Sequence, residues 1–200
     1  MFNNTMPYSY TNRQDKTHFF KAIPTKKGGV RYYITTDPHA ENLISEIPEG
    51  FEIVEYPEDG RVVIRKKVPV TTTPSEVDLV QKAMEEHSPV RDFIITAERG
   101  DIAIHISQFS HFFDAEYLSA DEAKTHYGKN VHQWKRYDWI LTFRLLDSNT
   151  RKFQVIRKAS VQYDAVVIDE GDQLSALAKK YCYHVGRESL LEFWIPGEDW

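Results

Sequence analysis

The sequence predicts an α+β domain: a largely antiparallel sheet of seven to nine strands built from about four hairpins, with three or four helices packed on it. Three observations carry this. Four pairs of apolar segments are each joined by turn chemistry and read as β-hairpins. Segments with helical spacing fall between those hairpins, the order expected of α+β chains. The composition, with 200 residues, 41% hydrophobic, 13% aromatic and 28% charged, suffices for a sizeable core.

Residues 1–17 are rich in Asn, Thr, Tyr and Ser and are expected to form a flexible arm without the apolar stretch of a signal peptide. The first hairpin runs from His18 to Thr36. Phe19, Phe20, Ala22 and Ile23 precede Pro-Thr-Lys-Lys-Gly-Gly, and Val30, Tyr32, Tyr33 and Ile34 follow. Asp37-Pro38 then opens a helix carrying Leu43, Ile44 and Ile47, with proline at the first helical position. The second hairpin, Phe51 to Val68, turns at Pro57-Glu58-Asp59-Gly60. A three-residue loop groups Val54, Tyr56, Val62 and Ile64 and sets Glu52 opposite Lys66. A two-residue loop gathers Phe51, Ile53, Val62, Ile64 and Val68 instead. The first is preferred because it keeps charge out of the apolar cluster.

Thr73-Pro74-Ser75-Glu76 is a capping box leading into Val77, Val80 and Met84. The third hairpin, Phe93 to Ser107, turns at Glu98-Arg99-Gly100-Asp101, and Ile102, Ile104 and Ile106 alternate with Ala103, His105 and Ser107. Ser119-Ala120-Asp121-Glu122 is a second capping box, with Gly128 as the stop. The fourth hairpin, Trp139 to Lys158, places Trp139, Leu141, Phe143 and Leu145 on one face, and Ala165 to Ile168 reads as a short strand. The last helix carries Leu174, Leu177, Ala178, Tyr181, Cys182 and Val185 on one stripe, capped by Gly186. Residues 18–200 are expected to be one domain. Weak halves, 18–90 and 91–200, are suggested by short matches: Val62 to Lys66 with Gln154 to Lys158, and His18-Phe19-Phe20 with His111-Phe112-Phe113.

The net charge of −5 argues against a protein that coats duplex nucleic acid, whose affinity comes from neutralising phosphates. A local basic groove remains compatible with it. The single cysteine, Cys182, forbids an intramolecular disulfide and points to a reducing, cytoplasmic setting. No stretch has the length of a membrane span, so no membrane partner is expected.

Four of the eight histidines, His105, His111, His126 and His132, fall in the irregular stretch between the third and fourth hairpins. Long irregular connections tend to carry function. Imidazole and carboxylate suit zinc or iron, but no His-Glu-x-x-His, cysteine pair or facial-triad opening accompanies them. Cys182 lies on the apolar helical stripe, where a thiol behaves as a small hydrophobe rather than a nucleophile. Asp169, Glu170 and Asp172 precede the last helix and favour its positive end. There is no phosphate-binding Gly-x-x-x-x-Gly-Lys, no Gly-x-Ser-x-Gly elbow and no Asp…Glu-x-Lys nuclease arrangement.

The expectation is a non-enzymatic, intracellular binding or interaction protein without a cofactor. Its surface is the aromatic, His-rich loop 107–139, with His105, Phe109, His111, Phe112, Phe113, Asp114 and Trp134 as contact residues, together with the apolar C-terminus from Leu190 to Trp200. The partner is then a protein or small molecule, or a second copy in a homo-oligomer. A different class is a metal-dependent hydrolase with a divalent ion on His111, Asp114 and either His105 or His132, and Glu116 as general base. A third is a single-stranded nucleic-acid binder using Lys66, Lys67, Arg157 and Lys158 with Trp134, in which cations hold phosphates and rings stack on bases.

Overall fold

The computed structural model describes residues 6–110, 125, 132–158 and 165–193. Among them are ten strands in three antiparallel sheets and two α-helices. The chain divides into two compact units, one containing residues 6–67 and 132–135, the other the remaining described residues. The first unit's main segment ends at Lys67.

The first unit holds β1 (Ser9–Thr11), β2 (Thr17–Pro24) and β3 (Val30–Thr35) in the order β1-β2-β3, with β4 (Phe51–Glu55) and β5 (Val62–Lys66) as a separate hairpin. Phe20, opposite Ile34, is fully buried and meets the Tyr8 ring at 5.9 Å. Tyr32, on the same face, packs edge-on against Phe51 of β4 at 4.7 Å.

Residues 9–16, expected in a loose arm, are tied down. Ser9–Thr11 pair with β2. The Tyr10 hydroxyl donates to Glu55 (2.8 Å), and buried Asn12 donates to the Gly60 carbonyl (2.7 Å) and accepts from the Gln14 and Lys16 amides. Arg13 donates to Glu55 (2.9 Å) and to the Tyr56 and Pro57 carbonyls. Polar residues that read as arm composition act here as a clamp on the β4–β5 turn.

Two other expectations fail in this unit. Residues 37–47 form turns, not a helix. The Asp37 carboxylate accepts from the His39 amide (2.9 Å), and Asn42 adopts φ +61°. Ala22 N–H donates to Asn42 (3.0 Å) and Ile44 N–H to Phe20 (2.9 Å). The backbone groups on the open side of β2 need partners, and this segment supplies them. In the second hairpin, Glu52 lies opposite Arg65 and Ile53 opposite Ile64, so the turn spans all four residues from Pro57 to Gly60 and neither anticipated register occurs. Arg65 Nε donates to Glu52 across the strands at 3.0 Å.

The second unit is α1 (Pro74–His87), then the meander β6 (Phe93–Glu98), β7 (Asp101–Ser107), β8 (Tyr137–Asp147), β9 (Lys152–Arg157) and β10 (Val166–Gly171), then α2 (Leu174–Cys182). The capping box at Thr73 forms as expected, with both reciprocal bonds to Glu76. The helices pack on one sheet face, where Ile102, Ile104, Leu141, Phe143, Val155, Val80, Met84, Ala178 and Cys182 are fully buried. Among the described residues two helices stand where three or four were expected. The one expected at 119–128 lies outside the described residues except Thr125, which is helical.

A register shift between Ile104 and His105 sets Leu141 opposite Ile104 but Trp139 opposite His105. The bulge moves Trp139 off the helix-packed face onto the face of His105, contrary to the strict alternation expected. There its indole N–H donates to Thr142 at 2.5 Å.

Phe143→Ala should lower stability by about 3–5 kcal/mol, since it empties a fully buried aromatic site. Urea unfolding is expected to show a lower midpoint at unchanged slope; an unchanged midpoint would disprove this packing.

Candidate functional site

The residues expected to form a site are only partly described. His111, Phe112, Phe113, Asp114, Glu116 and His126 lie outside the described residues. His105, in the second unit, is 6% exposed and meets the Thr96 hydroxyl through Nε2 at 3.1 Å. His132, in the first unit, meets the Asp15 carboxylate at 2.5 Å. Among the described residues, no three His, Cys, Asp or Glu side chains gather as metal ligands. Phe109 is half-buried in a 3-10 turn, and Trp134 is 58% exposed. Of the apolar C-terminus, Leu190 is buried in the helix-packed core and Phe193 packs on Tyr181 at 5.0 Å; residues 194–200 lie outside the described set.

The basic residues differ in environment. Arg157 is 1% exposed, donates to the Phe193 (2.8 Å) and Lys158 (3.0 Å) carbonyls, and is lowered in pKa by burial. It tethers the C-terminal segment and presents no charge to a phosphate. Lys66 and Lys67 are exposed in the first unit; Lys158 is half-buried in the second.

Several titratable clusters are accounted for by structure. Burial and its bond to Glu55 push Tyr10 up to about 12, so it remains a hydrogen-bond donor at neutral pH. Asp169 accepts from Lys180 (2.9 Å) and Tyr181 (2.7 Å); burial raises its pKa, but these bonds outweigh it and hold the carboxyl low. Glu76 is likewise raised by burial and then drawn low by Arg151 and the Thr73 cap. Arg144 forms a two-pronged pair with Asp101, both bonds at 2.9 Å. Burial pushes the Cys182 thiol up to about 12.

One charged cluster has no such account. From Lys16 to Thr36 the chain carries five Lys or Arg and no Asp or Glu. The β2–β3 hairpin organises four of them. Its tip closes with Thr25 N–H donating to the Gly29 carbonyl (2.7 Å) and Gly28 N–H to the Thr25 carbonyl (3.0 Å). Gly28 at φ +81° lets the tip turn, and this projects Lys26 and Lys27 into solvent. Lys21 pairs with Tyr33 and Ile23 with Arg31, all four on the face opposite Phe20 and Tyr32. Ile23, Val30 and Tyr33 are 38%, 50% and 42% exposed. Ile23, Lys26, Lys27, Val30, Arg31 and Tyr33 line an open cleft of ≈ 600 Å³. Among the described residues, Lys21, Lys26, Lys27 and Arg31 make no ion pair. The signal is present in the sequence as a run without carboxylates, with Lys26 and Lys27 in the hairpin loop; Lys21 and Arg31 join them only through the strand register.

No protein-family model matches the chain, and neither a curated protein nor a solved structure matches it. Among the described residues, no helix is long and apolar enough to cross a membrane.

Two outcomes follow from the titratable groups. Cys182 should resist a thiol-specific disulfide reagent in the native protein and react fully once unfolded. Fast native labelling would contradict its burial. His18 is 8% exposed with neither ring nitrogen hydrogen-bonded, and burial, then Lys16, lowers its pKa against an opposing pull from Glu55. The unfolded chain therefore takes up this proton first. The stabilisation from neutral His18 is complete above about pH 6.5 and is lost as pH falls below it towards the folded-state pKa. His184, lowered by burial, acts in the same sense. His18→Leu should flatten the decline in unfolding midpoint between about pH 7 and 5; parallel curves for both proteins would refute the assignment.

Proposed function

We propose that this chain is a non-catalytic binding protein that holds an extended polyanionic partner on the outward face of the β2–β3 hairpin. The supporting observation is the cluster of Lys21, Lys26, Lys27 and Arg31, none in an ion pair among the described residues, in a chain of net charge −5. Like charges held together on a rigid hairpin repel one another, and an anionic partner relieves that cost. Exposed Ile23 and Tyr33 add apolar area to the same face. The described ion pairs involving Glu55, Glu76, Asp101 and Asp169 each serve packing or strand pairing, which supports binding over catalysis.

Inorganic polyphosphate is a suitable probe, carrying charge without bases or side chains. The full chain should bind it at low salt and lose affinity steeply as salt rises. Lys26→Glu with Lys27→Glu should weaken binding roughly tenfold or more, since phosphate contacts are both removed and opposed. Lys179→Glu, an exposed reversal in the second unit, should have little effect. No binding, or equal loss from both reversals, would overturn the reading.

A further inference from the structure

We infer that the polyanion is a single-stranded nucleic acid with a base stacked on Tyr33, an inference that rests on the polyanion reading above. The arrangement of the outward face distinguishes it from a plain charged patch. Lys21 lies directly across from Tyr33, and Ile23 directly across from Arg31. Cations therefore occupy one diagonal and apolar side chains the other. Cross-strand neighbours stand about 5 Å apart, and neighbours along a strand on one face about 7 Å. Ile23 and Tyr33 thus each have a cation across from them and another along the strand. A nucleotide in an unpaired strand presents the matching pair, a flat base with its phosphate a few ångströms away.

Tyr33 is also unlike the other half-exposed tyrosine among the described residues. Tyr183, 49% exposed, is covered by the Arg187 guanidinium at 3.9 Å. The half-buried Tyr56 has Arg61 over its ring at 4.7 Å. The Tyr33 side chain, 42% exposed, has no cation, ring or hydrogen-bond partner among the described residues, which leaves its ring available for stacking. A duplex keeps its bases stacked inside and offers this ring nothing to stack on. An acidic peptide satisfies the cations but has no requirement for a flat aromatic surface. The absence of carboxylates between Lys16 and Thr36 removes the groups that would repel phosphates along the hairpin.

The test compares labelled short oligo(dT) and oligo(U) with a duplex, a poly-glutamate peptide and polyphosphate of matched charge, by fluorescence anisotropy on the full chain. Circular dichroism checks that each variant is folded. The single strands should bind more tightly than the other three, with a salt slope of roughly −3 for four phosphate contacts. Tyr33→Ala should weaken single-strand binding roughly 5- to 150-fold, the loss of one stacked base, and leave polyphosphate binding unchanged. Tyr33→Trp should retain it. Equal affinity for polyphosphate and single strands, or no effect of Tyr33→Ala on single strands, overturns this inference while the polyanion reading stands. Preference for the duplex or for poly-glutamate overturns it in favour of that partner. Failure to bind any of these polyanions removes both.

Discussion

Burial of Phe20 is the constraint on which the candidate surface depends. Side chains alternate along a strand, so placing one residue inward places its neighbours outward. Phe20 is wholly buried, with Tyr8 against it and Ile34 across from it. Tyr32 is held on the same side by Phe51. With those four aromatics inward, Lys21, Ile23, Arg31 and Tyr33 have only the opposite face available. A slip of one residue between β2 and β3 would remove the cross-strand matches, Lys21 with Tyr33 and Ile23 with Arg31, that form the checkerboard. The clamp made by Tyr10, Asn12 and Arg13 guards against such change by fixing the β4–β5 hairpin that carries Phe51.

Much of the fold was legible because it is local. The turn at Arg99-Gly100, the capping box at Thr73 and the apolar stripe of the last helix are each set within a few residues, and each appears where its chemistry sits. The misreadings share a different origin, in partners distant in sequence. Residues 37–47 have a helical start signal, but the unpaired side of β2 draws Asn42 and Ile44 into its own hydrogen bonds. The second hairpin chooses a four-residue turn because that register sets Glu52 against Arg65. Trp139 crosses the sheet through a bulge that no alternation rule detects, and there its indole finds the Thr142 hydroxyl. Asn12 and Arg13 read as arm residues because the carbonyls they serve lie more than forty positions away.

The candidate site was less legible than the fold, for a reason rooted in how charge is counted. A net charge of −5 averages over the chain, whereas a partner meets one surface. The averaging concealed a run of five cations with no carboxylate. Strand-end lysines and arginines stand out because they are adjacent in sequence, yet adjacency on a strand means opposite faces. Arg157 illustrates the consequence. Its side chain turns inward, is stripped of water and is consumed by two carbonyls, while the neighbouring Lys158 does not share its environment.

What separates a functional charge from a structural one here is whether the fold has already used it. Arg13, Arg144 and Arg151 sit against carboxylates in geometries that fix a turn, a strand pair and a helix cap. Removing any of them leaves an anion without its partner, so their charge is bound up with stability. Lys21, Lys26, Lys27 and Arg31 have no such role among the described residues. Like charges repel, and solvent screening keeps that repulsion small on an exposed hairpin. A cluster of like charges, beside a tyrosine with no cation over its ring among the described residues where others are capped by arginine, is most simply understood as one whose missing contacts are supplied by a partner.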